Sequence, residues 1–244
     1  MAAVTTADAR NVALFGSLAA EWWDPEGPNR LLHRLHPSRM AYVRQAAIDH
    51  FALDRGARRA LMGLRALDVG CGGGLVSESL ARMGATVTAI DAATESISIA
   101  RDHAAAQGLS IRYEAGEITA LAGSLPPQDL VTCLEVLEHV TDVPAFLAGL
   151  RRAIRAGGLL LFSSPNRTPA SLAVVKVGAE YVTRALPRGT HDWRKFLKPE
   201  ELAAKLADAG FRVEETRGVG WSPAKGFEVG DGQEIAYIGR AVAI

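Results

Sequence analysis

Cysteine, net charge and long apolar runs are scarce or absent in this 244-residue sequence. Its two cysteines, Cys71 and Cys133, lie far apart and outside any Cys-x-x-Cys pattern, which excludes a disulfide framework and a cysteine-rich zinc site. This cysteine usage predicts a reducing, cytoplasmic environment. Apolar runs such as residues 159–162 are far shorter than the roughly 20 residues of a membrane-spanning helix, and residues 1–10 do not resemble a signal peptide.

The charges of the chain balance, with 27 basic and 27 acidic side chains. No overall field therefore attracts nucleic acid, and we expect no nucleic-acid partner. A composition of 48% hydrophobic and 22% charged residues is typical of a globular protein with a sizeable core. We therefore interpret residues 1–244 as a single domain.

From residue 64 onward, short apolar runs typical of strands alternate with helical patterns. This alternation predicts a doubly wound α/β fold around a mostly parallel, seven-stranded sheet. The predicted strands cover residues 64–69, 86–90, 110–113, 129–134, 158–163, 211–216 and 234–242. The predicted helices, with apolar residues at three and four spacing, cover residues 75–83, 95–107, 143–155 and 199–209. Gly84, Gly108 and Gly210 follow three of these helices, where a left-handed residue often ends a helix.

Two segments lie outside this alternation. Residues 15–44, with Trp22, Trp23 and three prolines, are predicted to form an N-terminal cap. Residues 166–198 form an insertion between residues 64–163, the predicted cofactor-binding core, and residues 199–244, which complete the sheet. The insertion has a net charge of +5, from Arg167, Lys176, Arg184, Arg188, Arg194, Lys195 and Lys198 against Glu180 and Asp192.

A glycine-rich loop follows the first predicted strand. In Gly70-Cys71-Gly72-Gly73-Gly74, residues without side chains let the backbone approach a ligand at the start of a helix. Asp91 ends the next strand 21 positions after Gly70, where an acidic side chain can accept hydrogen bonds from ribose hydroxyls. Leu75 stands where a dinucleotide fingerprint has glycine or alanine, which argues against NAD. The alternative is a tight turn without a ligand.

The loop resembles the first motif of class I S-adenosylmethionine-dependent methyltransferases. This resemblance implies that Gly70 and Gly72 hold the amino-acid part of S-adenosylmethionine and that Asp91 holds its ribose. Glu117, in Gly116-Glu117-Ile118 after the third strand, lies where such enzymes have an acidic residue near the adenine. A solvent-facing loop glutamate is the alternative interpretation of Glu117.

Glu135, Glu138 and His139 directly follow the fourth strand, and ligands of open α/β sheets gather at the carboxyl ends of strands. If the chain is helical there, positions i, i+3 and i+4 share one face. Two chemistries then fit: Glu135 or His139 acts as a catalytic base on a hydroxyl, or all three residues bind a divalent cation such as Mg²⁺. The presence of both acids favours the metal. A solvated helix start with His139 packed is the third interpretation.

Further motifs resemble the ubiquinone-biosynthesis O-methyltransferase family over nearly the whole chain, from Phe15 to Tyr237. The matching residues are Trp22-Trp23-Asp24, Gly27, Leu32-His33, Pro37, Arg39, 133–140, Asn166-Arg167-Thr168, 178–181 and 189–196. The resemblance implies a seven-stranded sheet with one late antiparallel strand.

The same resemblance implies a function and several residue roles. Four residues match cofactor-binding positions: Arg39, Gly70, Asp91 and Leu134. Glu135, Glu138 and His139 match the divalent-metal ligands of eukaryotic members. The implied reaction transfers a methyl group from S-adenosylmethionine to a phenolic hydroxyl of polyprenylated ubiquinone precursors, at two steps of the pathway. Only the reduced quinol form offers that hydroxyl.

Residues 170–186 of the insertion place Lys176, Glu180, Thr183 and Arg184 in one narrow polar stripe. Such a helix is too apolar for open water and too short and charged to span a bilayer. It is either a buried helix or an interfacial helix on anionic lipid, and a substrate whose tail stays in the bilayer favours the latter. We expect residues 166–198 to hold the protein peripherally on the inner membrane, with other quinone-biosynthesis proteins as further partners.

Two other functions fit parts of the sequence. One is an O-methyltransferase of a soluble catechol or phenol, which the apolar insertion disfavours. The other is a non-catalytic subunit that binds cofactor and lipid in a quinone-biosynthesis complex, which the intact acidic and histidine cluster after the fourth strand disfavours.

Overall fold

The structure is a computed structural model, and it describes residues 5–175, 192–222 and 224–244. Its α-helices are α1 (Ala9–Ser17), α2 (Arg30–Phe51), α3 (Leu75–Arg82), α4 (Thr94–Ala106), α5 (Ile118–Leu121), α6 (Val143–Ala153), α7 (Pro169–Ser171) and α8 (Pro199–Asp208). Short 3₁₀ helices cover Ala19–Glu21, Leu137–His139 and Trp193–Lys195. The strands are β1 (Arg65–Val69), β2 (Thr86–Asp91), β3 (Arg112–Ala115), β4 (Gln128–Leu134), β5 (Ile154–Pro165), β6 (Phe211–Ser222), β7 (Gly226–Gly230) and β8 (Ala236–Ala243).

The eight strands of the described residues form one sheet in the order β3-β2-β1-β4-β5-β8-β6-β7. Neighbours from β3 to β5 pair in parallel, whereas β8 is antiparallel to both β5 and β6, and β7 is antiparallel to β6. The predicted α/β class with a mostly parallel sheet is confirmed. The predicted seven strands are corrected to eight in the part of the chain that the structure describes, because β6 continues to Ser222 and the chain turns back as β7.

Apolar side chains cover both faces of the sheet, as a doubly wound fold requires. On one face, Phe146 and Leu150 of α6 and Leu206 of α8 belong to a core cluster with residues of β4 and β5. On the other face, Val43 of α2 and Leu80 of α3 join a second cluster. The sheet is therefore buried on both faces.

Local signals explain where several helices begin and end. The Asp142 side chain accepts a hydrogen bond from Ala145 N and caps α6. Gly84, Gly108 and Gly210 have φ values of 99°, 67° and 85°, which is the left-handed conformation expected after a helix.

The carboxyl ends of β1, β2, β4 and β5 meet at one edge of the sheet, and α1 and α2 contribute residues to the cavity that opens there. Residues 176–191, which include most of the predicted interfacial helix, lie outside the described residues. Within the described part of the chain, no helix is long and apolar enough to cross a membrane.

Candidate active site

A cavity of about 740 Å³ lies along the carboxyl-end edge of the sheet. This volume is within the usual range for small-molecule sites. The structure places all nine residues of the predicted site in its lining: Arg39, Gly70, Gly72, Asp91, Glu117, Leu134, Glu135, Glu138 and His139.

The glycine loop approaches its neighbours too closely for side chains. Gly70, Gly72 and Gly74 have φ values of 72°, 52° and 94°, which glycine adopts readily. A Cβ atom on Gly70 would lie 2.4 Å from a methyl carbon of Val136, and one on Gly72 would lie 2.1 Å from the Trp22 ring. The loop therefore presents bare backbone at the cavity, next to the start of α3.

Asp91, the last residue of β2, holds this loop in place through a hydrogen bond. Its carboxylate accepts hydrogen bonds from Gly72 N and Ala93 N, both at 2.8 Å. These two bonds use one lone pair on each carboxylate oxygen, so each oxygen keeps acceptor capacity toward the cavity. Burial raises the pKa of Asp91 above its ordinary value, and the two backbone N–H donors oppose that shift.

A second acid, Asp68, lies one strand away and is buried. It accepts hydrogen bonds from Ser77 Oγ at 2.6 Å and Thr132 Oγ1 at 2.7 Å. Burial raises the pKa of Asp68 to about 6. The side chain thus joins β1 to α3 and β4 underneath the glycine loop.

Glu135 has a backbone conformation that is unusual for a residue with a side chain. Its φ is 59°, and such left-handed residues concentrate at functional sites. Ser163 Oγ donates to its carboxylate at 2.7 Å, and Arg39 Nη2 lies 3.7 Å from the same oxygen. Arg39 is buried, and within the described residues its Nη2 atom has no hydrogen-bond partner. A guanidinium nitrogen that forms an ion pair with Glu135 but no hydrogen bond therefore lies in the cavity lining.

Glu138 and His139 occupy different environments. Glu138 is buried, with one oxygen 3.3 Å from Ser164 Oγ and the other without a hydrogen-bond partner among the described residues. Burial, and secondarily the charge of Glu135, raise the pKa of Glu138. The His139 ring has Nδ1 3.1 Å from the Asn11 amide nitrogen, and the Phe15 ring meets it edge-on at 5.0 Å. Side chains of α1 therefore hold the imidazole in place.

The helical arrangement expected for these three residues is not observed. The 3₁₀ helix begins at Leu137, so Glu135 lies outside it. Among the described residues, no group of three His, Cys, Asp or Glu side chains is arranged to hold a metal ion. The residues as placed do not fit the predicted divalent-cation site, and we assign no catalytic step to a metal.

Glu117 contacts the N-terminal segment. Its Oε2 atom accepts hydrogen bonds from Thr6 N at 2.6 Å, Thr6 Oγ1 at 2.8 Å and Ala7 N at 2.9 Å. Ala7 also forms an antiparallel bridge with Val140, and Lys195 lies 2.9 Å from Asp8. These contacts hold residues 5–17 over the cavity. The N-terminal cap was predicted to begin at residue 15, and in the structure it begins earlier.

Sequence reasoning missed α1 as part of the site. The signal was available, because Asp8 is a helix-capping residue whose side chain accepts from Arg10 N. Val12 and Phe15, three positions apart, both line the cavity. The sequence predicted Trp22 and Trp23 to lie in the cap but assigned them no role. In the structure, the Trp22 ring packs on the glycine loop, and Trp23 Nε1 donates a hydrogen bond to Gly73 O at 3.0 Å.

These features fit S-adenosylmethionine. One cavity is lined by the glycine loop, Asp91 and Arg39. The loop offers bare backbone, the Asp91 carboxylate can accept further hydrogen bonds, and Arg39 Nη2 has no hydrogen-bond partner among the described residues. Backbone N–H groups at a helix start suit a carboxylate, and an acid at a strand end suits ribose hydroxyls.

Comparison with known proteins agrees with this assignment. A family model described as a methyltransferase domain matches residues 22–216. A protein of Parvibaculum lavamentivorans named ubiquinone biosynthesis O-methyltransferase is 46% identical over 222 residues, which cover 91% of this chain and 88% of that protein. A Caulobacter vibrioides protein of the same name is 46% identical over 220 residues, covering 90% of this chain and 87% of that protein.

Solved structures show the same fold at low sequence identity. A magnesium protoporphyrin IX methyltransferase from Synechocystis, with bound S-adenosylmethionine, has a TM-score of 0.61 at 18% identity and covers 98% of this chain and 100% of its own. An S-adenosylmethionine-dependent methyltransferase from Clostridium acetobutylicum has a TM-score of 0.63 at 13% identity, covering 85% and 92%.

Proposed function

The chain belongs to the family of the ubiquinone biosynthesis O-methyltransferases, and from this premise we propose that it methylates a phenolic hydroxyl of polyprenylated quinol precursors. It is an S-adenosylmethionine-dependent O-methyltransferase of ubiquinone biosynthesis. The proposal extends to both O-methylation steps of the pathway, because both would offer the same chemical group, a phenol next to an oxygen substituent.

The position of Glu135 carries this proposal. Its left-handed backbone places the carboxylate at the end of β4, in the same cavity as the glycine loop that follows β1. Ser163 and Arg39 orient the carboxylate by a hydrogen bond and an ion pair. A phenol that accepts a methyl group must lie between the cofactor loop and a residue that handles its proton, and Glu135 is placed for that task.

When bound, S-adenosylmethionine supplies a methyl group already activated by its sulfonium. The chain's own residues position the phenol and remove its proton. We assign Glu135 to accept the hydrogen bond of the phenolic hydroxyl and then its proton, and His139, held by Asn11 and Phe15, to help position the phenol. The phenol oxygen would thus give its proton to Glu135 and gain the methyl carbon, whose bond to sulfur breaks to leave a neutral thioether.

Transfer of label tests this function. The purified protein is incubated with methyl-labelled S-adenosylmethionine and a short-chain demethylated quinol, and in parallel with the oxidised quinone. We expect label in the quinol alone, because the quinone lacks the hydroxyl. Label in neither compound, or equal label in the oxidised quinone, would contradict the proposal. Repeating the assay after exhaustive chelation tests the proton-transfer assignment, which requires that turnover survive.

We also propose that the insertion of residues 166–198 brings the protein to an anionic membrane surface. The described part of this insertion supplies little free charge: Arg167 pairs with Glu201, Arg194 with Asp192 and Lys195 with Asp8. The attraction would then depend on Lys176, Arg184 and Arg188, which lie outside the described residues.

A further inference from the structure

The cavity extends well past the cofactor loop. Beyond β4, its lining continues along the same sheet edge through residues of β5, β8, β6 and finally β7. β7 is four strand spacings from β4, a distance of roughly 19 Å. The cavity therefore holds room for a ligand that extends from Glu135 toward the β6–β7 hairpin.

The far end of the cavity is apolar. Val219 and Trp221 of β6 line it together with Phe227 of β7, and Trp221 and Phe227 are directly paired across the hairpin. Leu35 of α2 lines the same cavity and packs against the core cluster that contains Val219. Val174, near the start of the insertion, completes this lining. We call these five residues, Leu35, Val174, Val219, Trp221 and Phe227, the hairpin groove.

Exposure marks the mouth of the hairpin groove. Among the described residues, four large hydrophobic side chains are exposed: Met62, Val174, Trp221 and Ile244. Two of the four, Val174 and Trp221, belong to the groove. Apolar side chains exposed at the mouth of an apolar cavity indicate a hydrophobic occupant that enters from that side.

We propose that the hairpin groove binds the proximal part of the polyprenyl tail while the phenol head lies at Glu135. This inference rests on the proposed function, because it assigns a place to the tail of that substrate. The groove opens at Val174, directly before the residues proposed to lie on the membrane. The distal tail would pass from the groove into the bilayer with little exposure to water, and burial of the proximal tail would stabilise the complex in proportion to its apolar area.

A comparison of two soluble substrates tests the groove. kcat/KM is measured for a demethylated quinol without a tail and for the same quinol with two prenyl units, without lipid or detergent. We expect wild type to prefer the prenylated quinol by about tenfold or more, the scale on which apolar pockets discriminate. Trp221→Ala, and separately Phe227→Ala, should lower this preference by about fivefold. Met62→Ala is the matched control, since Met62 and Trp221 are each 60% exposed and Met62 does not line the cavity.

The outcomes separate this inference from the proposed function. No transfer to either quinol would overturn the proposed function. Transfer to both quinols with no preference for the prenylated one would overturn the groove and leave the proposed function standing. If Trp221→Ala keeps the preference with soluble substrates but loses activity only on vesicles, Trp221 is a bilayer contact and the groove is likewise overturned.

Discussion

Two acids at the ends of neighbouring strands support the cofactor loop in different ways. Asp91 binds the loop directly through Gly72 N and keeps acceptor capacity toward the cavity. Asp68 is fully enclosed and bonds to Ser77 and Thr132. Asp91 should therefore govern affinity for the cofactor, whereas Asp68 should govern the stability of the fold.

Asp91→Ala should weaken S-adenosylmethionine binding by about 1.5 to 3 kcal/mol, the range for hydrogen bonds to a charged group. Calorimetric titration measures the change. Asp102→Ala, at an exposed position on α4, is the matched control and should bind like wild type. Equal affinity of the Asp91 variant and wild type would remove Asp91 from the cofactor site.

Asp68 should make the protein less stable as the pH rises. Its native pKa of about 6 exceeds its ordinary value of 3.8, so the native state retains the proton that the unfolded state has lost. The stabilisation is complete below pH 3.8 and is lost as the pH rises through about 6, with a total of roughly 3 kcal/mol. Asp68→Asn should flatten this decline, as measured by urea unfolding at pH 4.5 and 7.5. An identical pH dependence in both proteins would show that Asp68 is not the responsible group.

At the scale of elements, the N-terminal segment is the part whose role the structure changes most. Glu117, predicted near the adenine, holds the backbone of Thr6 and Ala7. The segment then continues as α1, whose Asn11 and Phe15 contact His139. Through this segment, Glu117 therefore links the cofactor end of the cavity to His139.

Glu117→Ala should release this segment, because it removes an acceptor of three hydrogen bonds at one carboxylate oxygen. Amide hydrogen exchange in residues 5–17 should become about tenfold faster or more, a change equivalent to roughly 1.4 kcal/mol. Glu114→Ala, which removes the partner of Arg112, is the control and should leave exchange in that segment unchanged. Unchanged exchange in the Glu117 variant would show that other contacts hold the segment.

The elements that sequence reasoning predicted are those with a strong repeating pattern. The four predicted helices and seven predicted strands all appear, because apolar periodicity determines which face is buried. Their ends shift by a few residues, except that β6 continues well past its predicted end at residue 216. β7 has no such signal, since its sequence Gly-Phe-Glu-Val-Gly is short and begins and ends with glycine. A helix that includes Glu135 was one possibility considered from the sequence. No sequence rule predicts a left-handed glutamate, whose carboxylate contacts Ser163 and Arg39 from distant parts of the chain.

At the scale of the whole molecule, one proposed substrate has a polar head and an apolar tail. It has to be bound by the sheet edge, the N-terminal segment and the insertion together. The proposed membrane contact predicts that replacing Lys176, Arg184 and Arg188 by Glu releases the protein from anionic vesicles. The reason is that each cation near the surface contributes about 1 kcal/mol of attraction to the anionic lipid. Flotation measures binding. The control reverses three exposed cations elsewhere in the sequence, Arg55, Arg58 and Arg59. Equal flotation of wild type on neutral and anionic vesicles would contradict the contact.

The central claim is that the acid after β4 handles the phenol while the glycine loop holds the cofactor. The most direct test measures kcat for methyl transfer to a short-chain demethylated quinol, together with calorimetric affinity for S-adenosylmethionine, in wild type and Glu135→Gln. The account predicts that kcat falls by about 100-fold, the usual scale for loss of a positioned proton-handling group, while cofactor affinity stays within about twofold. Full turnover by the Glu135→Gln enzyme would contradict the account.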